Sequence, residues 1–139
     1  MKPLPREHRE LVERVLREYP LRENEFKALD ATIVSLCRAP SILRIGREGG
    51  VACSAQEKIL EAKENNQHYK SLEQYIIVVR KGLRLLDGQE REILSMFFWE
   101  GFTNAEIAEK FSLQKRWVLK LKSKALYKLS QVFIPHFMA

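Results

Sequence analysis

Apolar residues recur at steps of three and four along almost the whole chain, and this period restricts the possible folds more than any other feature. The step matches the 3.6-residue turn of an α-helix with one buried face. Residues 5–19 carry one such stripe, and we expect Pro20 to end it because proline lacks the backbone donor that a helix interior needs. A second helix is predicted from residue 21 to about residue 37, before Pro40. The period therefore predicts an all-α fold.

A long central helix is predicted between residues 54 and 86. Ser54 and Glu57 have the spacing of a capping box, in which each side chain bonds to the backbone of the other residue. Apolar residues then follow a heptad-like seam: Tyr69, Leu72, Ile76, Val79, Leu83 and Leu86. The seam can pack on the N-terminal helices or on its counterpart in a dimer. The β-branched run 76–79 also fits a strand, but the seam continues on both sides without turn residues, which favours the helix.

Residues 38–53 interrupt the helical period. Pro40, Gly46 and the pair at positions 49 and 50 predict a mobile loop, and a loop this long in a small protein is usually functional or disordered. The segment is either a solvated linker or a contact for an anionic partner through its three arginines, Arg38, Arg44 and Arg47.

Two more capping boxes divide the C-terminal part of the chain. Asp87 with Glu90 begins one helix, and Thr103 with Glu106 begins the next. Gly101 lies between them, where a left-handed residue commonly follows a helix end. The final helix is predicted from about residue 115 to residue 133, with Pro135 beyond its end.

The positive charge is concentrated at the C-terminal end. The chain carries 24 Lys and Arg against 18 Asp and Glu, a formal charge of +6. Residues 1–100 are almost neutral, whereas residues 101–139 contain seven basic and two acidic residues, and no acidic residue follows Glu109. Such a segment favours a polyanionic partner, either nucleic acid or an anionic membrane surface. The longest apolar run, residues 75–79, is too short to span a bilayer, and no signal peptide is visible, so we expect a cytoplasmic protein.

Enzyme, cofactor and metal chemistry are not predicted. Cys37 and Cys53 form no CxxC pair and are expected to stay reduced, and the three histidines are scattered singly. Glu57, Glu61 and Glu64 share a helix face, but no histidine or cysteine converges with them, which fits a solvated surface.

Residues 103–129 have the layout of a helix-turn-helix: a short capped helix, a three-residue turn and a longer basic helix. Ala108 is small enough for a close helix crossing, Leu113 is expected to fill the core from the turn, and Val118 and Leu121 anchor the second helix. The outward positions of that helix are then predicted to be Lys115, Arg116, Leu119, Lys120, Lys122 and Lys124.

An α-helix fits the major groove of DNA, where its N-terminal residues reach base edges and other residues meet phosphates. The predicted base-reading residues are Lys115, Arg116, Leu119 and Lys120, with Leu119 suited to a thymine methyl group. The predicted phosphate contacts are Lys110, Thr103, Lys122 and Lys124. Trp117 either packs against the preceding helix or contacts a sugar or base.

Residues 83–129 resemble region 4 of sigma-70-type factors. The resemblance rests on five elements in the family's order: Leu83–Asp87, Gln89–Leu94, Trp99–Thr103, Glu106–Phe111 and Lys124–Leu129. It implies a module that binds the −35 promoter element, contacts RNA polymerase and reads bases at the four positions named above. Gln114 stands where the family usually has a Ser or Thr cap, and Ser112 stands where it often has Gly, so the family's promoter preference does not transfer.

The whole chain is similar, more loosely, to small phage and prophage late-gene transcription regulators of the autolysin-regulator (ArpU/RinA-like) type, with Tyr19-Pro20 and the Gly/Pro-rich loop fitting that layout. The resulting hypothesis is a sequence-specific regulator that binds double-stranded DNA through residues 87–139. Residues 1–86 would serve for dimerisation or polymerase contact. The alternatives are a helical adaptor that binds RNA polymerase or another protein, a phage DNA-packaging (small terminase-like) subunit, and an RNA-binding protein.

Overall fold

A computed structural model describes residues 4–38 and 55–138, and these residues form helices without any strand. The prediction of an all-α fold is confirmed. The six α-helices and one π-helical segment are α1 (Arg6–Arg38), α2 (Ala55–Asn65), α3 (Gln67–Arg84), α4 (Gly88–Leu94), the π-helix (Ser95–Trp99), α5 (Asn104–Phe111) and α6 (Lys115–Phe137). The predicted loop from Ala39 onward and the Ser54 cap lie outside the described residues.

The chain divides into two compact units. One contains the residues up to Leu21 and those from Tyr75 onward, and the other contains Arg22–Gln74. In this division the first half of α1 and the second half of α3 belong to the unit that contains α4, α5 and α6. The boundary predicted after residue 86 stays a prediction. The roles predicted for residues 1–86 stay predictions.

The prediction that Pro20 ends the first helix is wrong, because α1 continues through it to Arg38. A proline at position 20 cannot donate to the carbonyl of Leu16, four residues earlier. The indole Nε1 of Trp99 donates to this carbonyl oxygen at 2.7 Å. The tertiary structure thus supplies the donor that the helix lacks, which offsets part of the ~3 kcal/mol that an interior proline costs.

The predicted central helix is divided in two at Asn66. The Asn66 side chain accepts a hydrogen bond from the backbone N–H of Tyr69 at 2.9 Å, as a helix N-cap does, and α3 therefore starts anew at Gln67. Within α3 the run 76–79 is helical, as the seam indicated. The seam residues Tyr69, Leu72, Ile76 and Val79 are buried.

The unit Arg22–Gln74 is joined by one mixed polar and aromatic cluster. Lys63 Nζ lies 2.7 Å from Asp30 Oδ1, and the Tyr69 hydroxyl donates to the same oxygen at 3.0 Å. The hydrogen bond from Lys63 is the main cause that lowers the pKa of Asp30, and the same bond raises the pKa of Lys63. The rings of Phe26 and Tyr69 lie 4.9 Å apart. These contacts connect α1, α2 and the start of α3.

Helix α6 extends past Pro135 to Phe137, so the predicted end at residue 133 is wrong. The backbone N–H of Met138 still donates to the carbonyl of Ile134, and Phe137 packs against Phe133 and Tyr75 at ring distances of 5.9 and 5.6 Å. Aromatic packing of this kind stabilises a last turn from which proline removes one hydrogen bond. In the described part of the chain, no helix has the length and apolar character that crossing a membrane requires.

Candidate nucleic-acid interface

A compact apolar core holds α4, the π-helix, α5 and α6 together. Ile93, Met96, Ile107, Ala108 and Val118 are buried in one cluster, and further apolar side chains pack around it: Phe97, Phe102, Phe111, Leu113 and Leu121. Ala108, Leu113, Val118 and Leu121 therefore occupy the roles predicted for them. The core fixes how α6 lies against α4 and α5, which is the arrangement a helix-turn-helix needs.

Both C-terminal capping boxes are confirmed. Asp87 accepts from the N–H of Glu90 at 2.8 Å, and Glu90 accepts from the N–H of Asp87 at 3.2 Å. The backbone hydrogen bond from Glu90 is the largest cause that lowers the pKa of Asp87, with Lys128 and Lys124 adding to it. Thr103 and Glu106 form the equivalent pair at α5, and Gly101 is left-handed with φ +80°. The caps set where each helix starts.

The turn between α5 and α6 has the predicted length but carries some strain. Ser112 is left-handed, with φ 56°, in the position where glycine would be free of the steric cost. The Leu113 N–H donates to the Ala108 carbonyl at 2.8 Å, which closes the end of α5. Gln114 caps α6 without a side-chain hydrogen bond.

The four predicted base-reading residues share the exposed surface at the start of α6: Lys115, Arg116, Leu119 and Lys120. Leu119 is 43% exposed, so its side chain is accessible to a partner. Trp117 is 49% exposed, with Lys120 Nζ 5.6 Å from its ring centroid. Within the residues that the structure describes, no ion pair engages Lys115, Arg116 or Lys120, so their charges face solvent.

The predicted outward position of Lys122 is wrong. This residue is 7% exposed, its Nζ lies 3.2 Å from the centroid of the Phe97 ring, and it donates to Asn104 Oδ1 at 3.0 Å. Desolvation is the main cause that lowers its pKa to about 8; Glu13 opposes the shift, and Arg9 and Arg17 add to it. The helical period predicted Lys122 to be outward, but its ammonium turns inward because Phe97 and Asn104, from other elements, bind it.

The other three predicted phosphate contacts are exposed. Lys110 lies with Nζ 5.7 Å from the Phe102 ring centroid, and Lys124 lies on the solvent side of α6. Thr103 uses its hydroxyl within the capping box, because Oγ1 donates to Glu106 Oε1 at 3.0 Å and accepts from the Glu106 N–H at 3.2 Å. The Thr103 backbone N–H also donates to Glu106 Oε1, at 3.3 Å, so Thr103 would reach a phosphate only after the capping box opens.

An ion pair between a buried carboxylate and a half-buried lysine connects α4 to α6. Glu90 is completely buried, and its Oε1 lies 2.7 Å from Lys128 Nζ. Its other oxygen, Oε2, has no hydrogen-bond partner among the described residues. The sequence identified Glu90 as a capping residue only, since nothing in the chain order indicates that Lys128 reaches it.

Residues 82–131 match the family model of sigma-70, region 4. The match covers α4, the π-helix, α5 and most of α6, and it supports a helix-turn-helix of the sigma-70 region 4 type in this part of the chain. Comparison with the curated proteins and with the solved structures gives no match. Among the residues that the structure describes, no group of His, Cys, Asp and Glu side chains could hold a metal ion.

Proposed function

We propose that the protein is a transcription regulator that binds double-stranded DNA sequence-specifically and inserts the start of α6 into the major groove. One observation carries the proposal: a helix-turn-helix core presents a basic helix face on which Lys115, Arg116 and Lys120 have no described acidic partner. Surface helices commonly mix both charges to gain pairing at i,i+4. A face with cations alone is suited to a polyanion, and an α-helix fits the major groove.

The residues divide by their position along α6. Lys115, Arg116 and Lys120 are placed to donate to guanine O6 and N7, and Leu119 to contact a thymine methyl group. Lys124, farther along α6, and Lys110, at the end of α5, serve the phosphates, which fix the register without reading sequence. Lys122 is omitted from this set because its ammonium is held by Asn104 and Phe97.

RNA polymerase and a second copy of the chain are the two proposed protein partners. The support for polymerase is the match of residues 82–131 to sigma-70, region 4. A dimer would double the reading surface and bind two half-sites with a spacing set by the protein's symmetry. The proposed role resembles that of small phage regulators, which combine such an end with a helical N-terminal part.

The decisive experiment enriches random duplex DNA on the protein and sequences the bound fraction. Binding to the enriched site is then measured for Arg116→Ala, Lys124→Ala and Lys70→Ala, the last a control on exposed Lys70 of α3. We expect Arg116→Ala to relax discrimination at one base pair by about 1–3 kcal/mol and Lys124→Ala to weaken all sequences alike. The control should bind as the parent does.

Three outcomes contradict the proposal. Equal, sequence-blind losses in Arg116→Ala and Lys124→Ala would refute base reading by Arg116. No complex at moderate salt would instead indicate a helical adaptor for RNA polymerase or another protein. A solution mass above that of a dimer would favour a ring-forming DNA-packaging subunit.

A further inference from the structure

The first half of α1 is packed onto the π-helix that precedes α5. Trp99 donates to the Leu16 carbonyl, and its ring lies 5.7 Å from that of Tyr19. Arg17 follows Leu16 on α1, and its guanidinium lies 5.7 Å from the centroid of the Phe98 ring. Helix α1 lies outside residues 82–131 that match the family model, yet it contacts the π-helix within that segment directly.

An arginine stripe on α1 lies near the π-helix and Lys122. Arg9, Glu13 and Arg17 are four residues apart and so share one helix face. Phe97 and Phe98 pack edge to face at 5.0 Å, with Arg17 over Phe98 and Lys122 over Phe97. Lys122 donates to Asn104, the first residue of α5, and so connects the surroundings of the stripe to the N-terminus of that helix. Arg9, Glu13 and Arg17 are also close enough to influence the pKa of Lys122.

The stripe has a surplus of positive charge that points to solvent. Glu13 lies between the two arginines, with its oxygens 3.2 Å from Arg9 Nε and 4.0 Å from Arg17 Nη2. The arginine side chains are 58% and 63% exposed, whereas that of Glu13 is 23% exposed. One carboxylate therefore orients two guanidinium groups and neutralises one of them, and Lys122 adds a further positive charge beneath the surface.

We propose that Arg9 and Arg17 contact the phosphate backbone of the same DNA duplex whose major groove receives α6. In a helix-turn-helix complex the first helix of the motif crosses the backbone. Helix α5 has that role in the proposed complex. A DNA strand that crosses the N-terminus of α5 passes Asn104 and Lys122, and through them the neighbourhood of Arg9 and Arg17. This inference rests on the proposed function and extends the DNA contact to a helix outside the matched segment.

The test compares salt dependence in paired double variants. Arg9→Gln with Arg17→Gln removes the stripe, Arg9→Lys with Arg17→Lys keeps its charge, and Arg22→Gln with Lys27→Gln is a control. The control also removes two cations from α1, where Arg22 pairs with Glu25 and Lys27 with Glu23, but in the other compact unit. Binding is measured from 50 to 200 mM salt on the enriched site and on a 30-base-pair scrambled duplex, with thermal unfolding as the check on folding.

In the glutamine double variant the slope of log K against log salt should become less negative by about 1.8, because each lost phosphate contact accounts for about 0.9. That change corresponds to on the order of 60-fold weaker binding at 0.1 M salt on both duplexes. The slope of the lysine double variant should stay close to that of the parent, and the slope of the control should equal it.

Distinct results separate this inference from the proposed function. An unchanged slope in the folded glutamine variant overturns the backbone contact while leaving DNA binding by α6 intact. A loss confined to the enriched site overturns it as well, because the arginines would then act through the position of α6. Absence of DNA binding by the parent protein refutes the proposed function itself.

Discussion

At Gly82 helix α3 packs closely on α6, and replacing this glycine by alanine tests that packing. A β-carbon at position 82 would lie 2.8 Å from Phe133 Cε1 and 2.9 Å from Leu129 Cδ2. Ordinary carbon contacts lie near 3.5–4.0 Å. Both neighbouring side chains are completely buried, so neither can move aside into solvent.

Two effects of opposite sign determine the result of Gly82→Ala. Alanine is favoured over glycine by up to about 1 kcal/mol within a helix. Overpacking a buried site costs about 1–3 kcal/mol, and two contacts below 3.0 Å place this substitution in the upper part of that range. We therefore expect a net loss of about 1–2 kcal/mol and a lower Tm by several degrees.

Gly88→Ala is the matched control, because a β-carbon there meets nothing within 4 Å and the residue begins α4. This variant should be neutral or more stable by about 0.4–1 kcal/mol. Urea unfolding followed by circular dichroism gives both values from midpoint and slope. If Gly82→Ala were as stable as Gly88→Ala, the close approach of α3 to α6 would be refuted.

Two further predictions concern buried charges. Lys128→Met should lower the free energy of unfolding by about 3 kcal/mol, because it leaves the buried Glu90 carboxylate without its cation. Adding Glu90→Gln to this variant should restore part of that loss. A double-mutant cycle in urea that finds no coupling energy would refute the ion pair. Lys122→Met should stabilise the protein at pH 7, where the folded state still bears the cost of a desolvated ammonium. The pKa of Lys122 is about 8 folded against 10.5 unfolded, so the folded state binds fewer protons between these values and the parent gains stability as pH rises through them. The gain in the free energy of unfolding from Lys122→Met at pH 7 is at most about 3 kcal/mol from the pKa shift, and about 1 kcal/mol once screening by water is included. A variant less stable than the parent at pH 7 would refute the destabilising effect of this ammonium.

Local sequence signals predicted the C-terminal helix starts correctly. The boxes at Asp87 and Thr103 act through backbone groups three residues away, so neighbouring residues contain the whole interaction. The cap at Asn66 is also local, an asparagine within a polar stretch. It was not predicted, because the helical period continues on both sides and favoured one uninterrupted helix.

Side-chain direction near the edge of an apolar face was less predictable. Arg116 and Lys120 are exposed as expected, because they lie on the side of α6 away from its buried stripe. Lys115 shares the face of buried Val118 but is exposed, and it is the first residue of the helix. Lys122 lies next to that stripe, and its direction depends on Phe97 and Asn104, which come from other elements.

The sequence by itself determined the all-α fold, the helix-turn-helix and the concentration of positive charge on its last helix, since periodicity, caps and charge are properties of neighbouring residues. The tertiary structure alone decided that α1 passes through Pro20 and that Arg17 lies over the Phe98 ring. The first depends on Trp99, which lies 83 residues beyond the Leu16 carbonyl that it satisfies. A hydrogen bond over that separation leaves no periodic pattern, so only the folded chain reveals it.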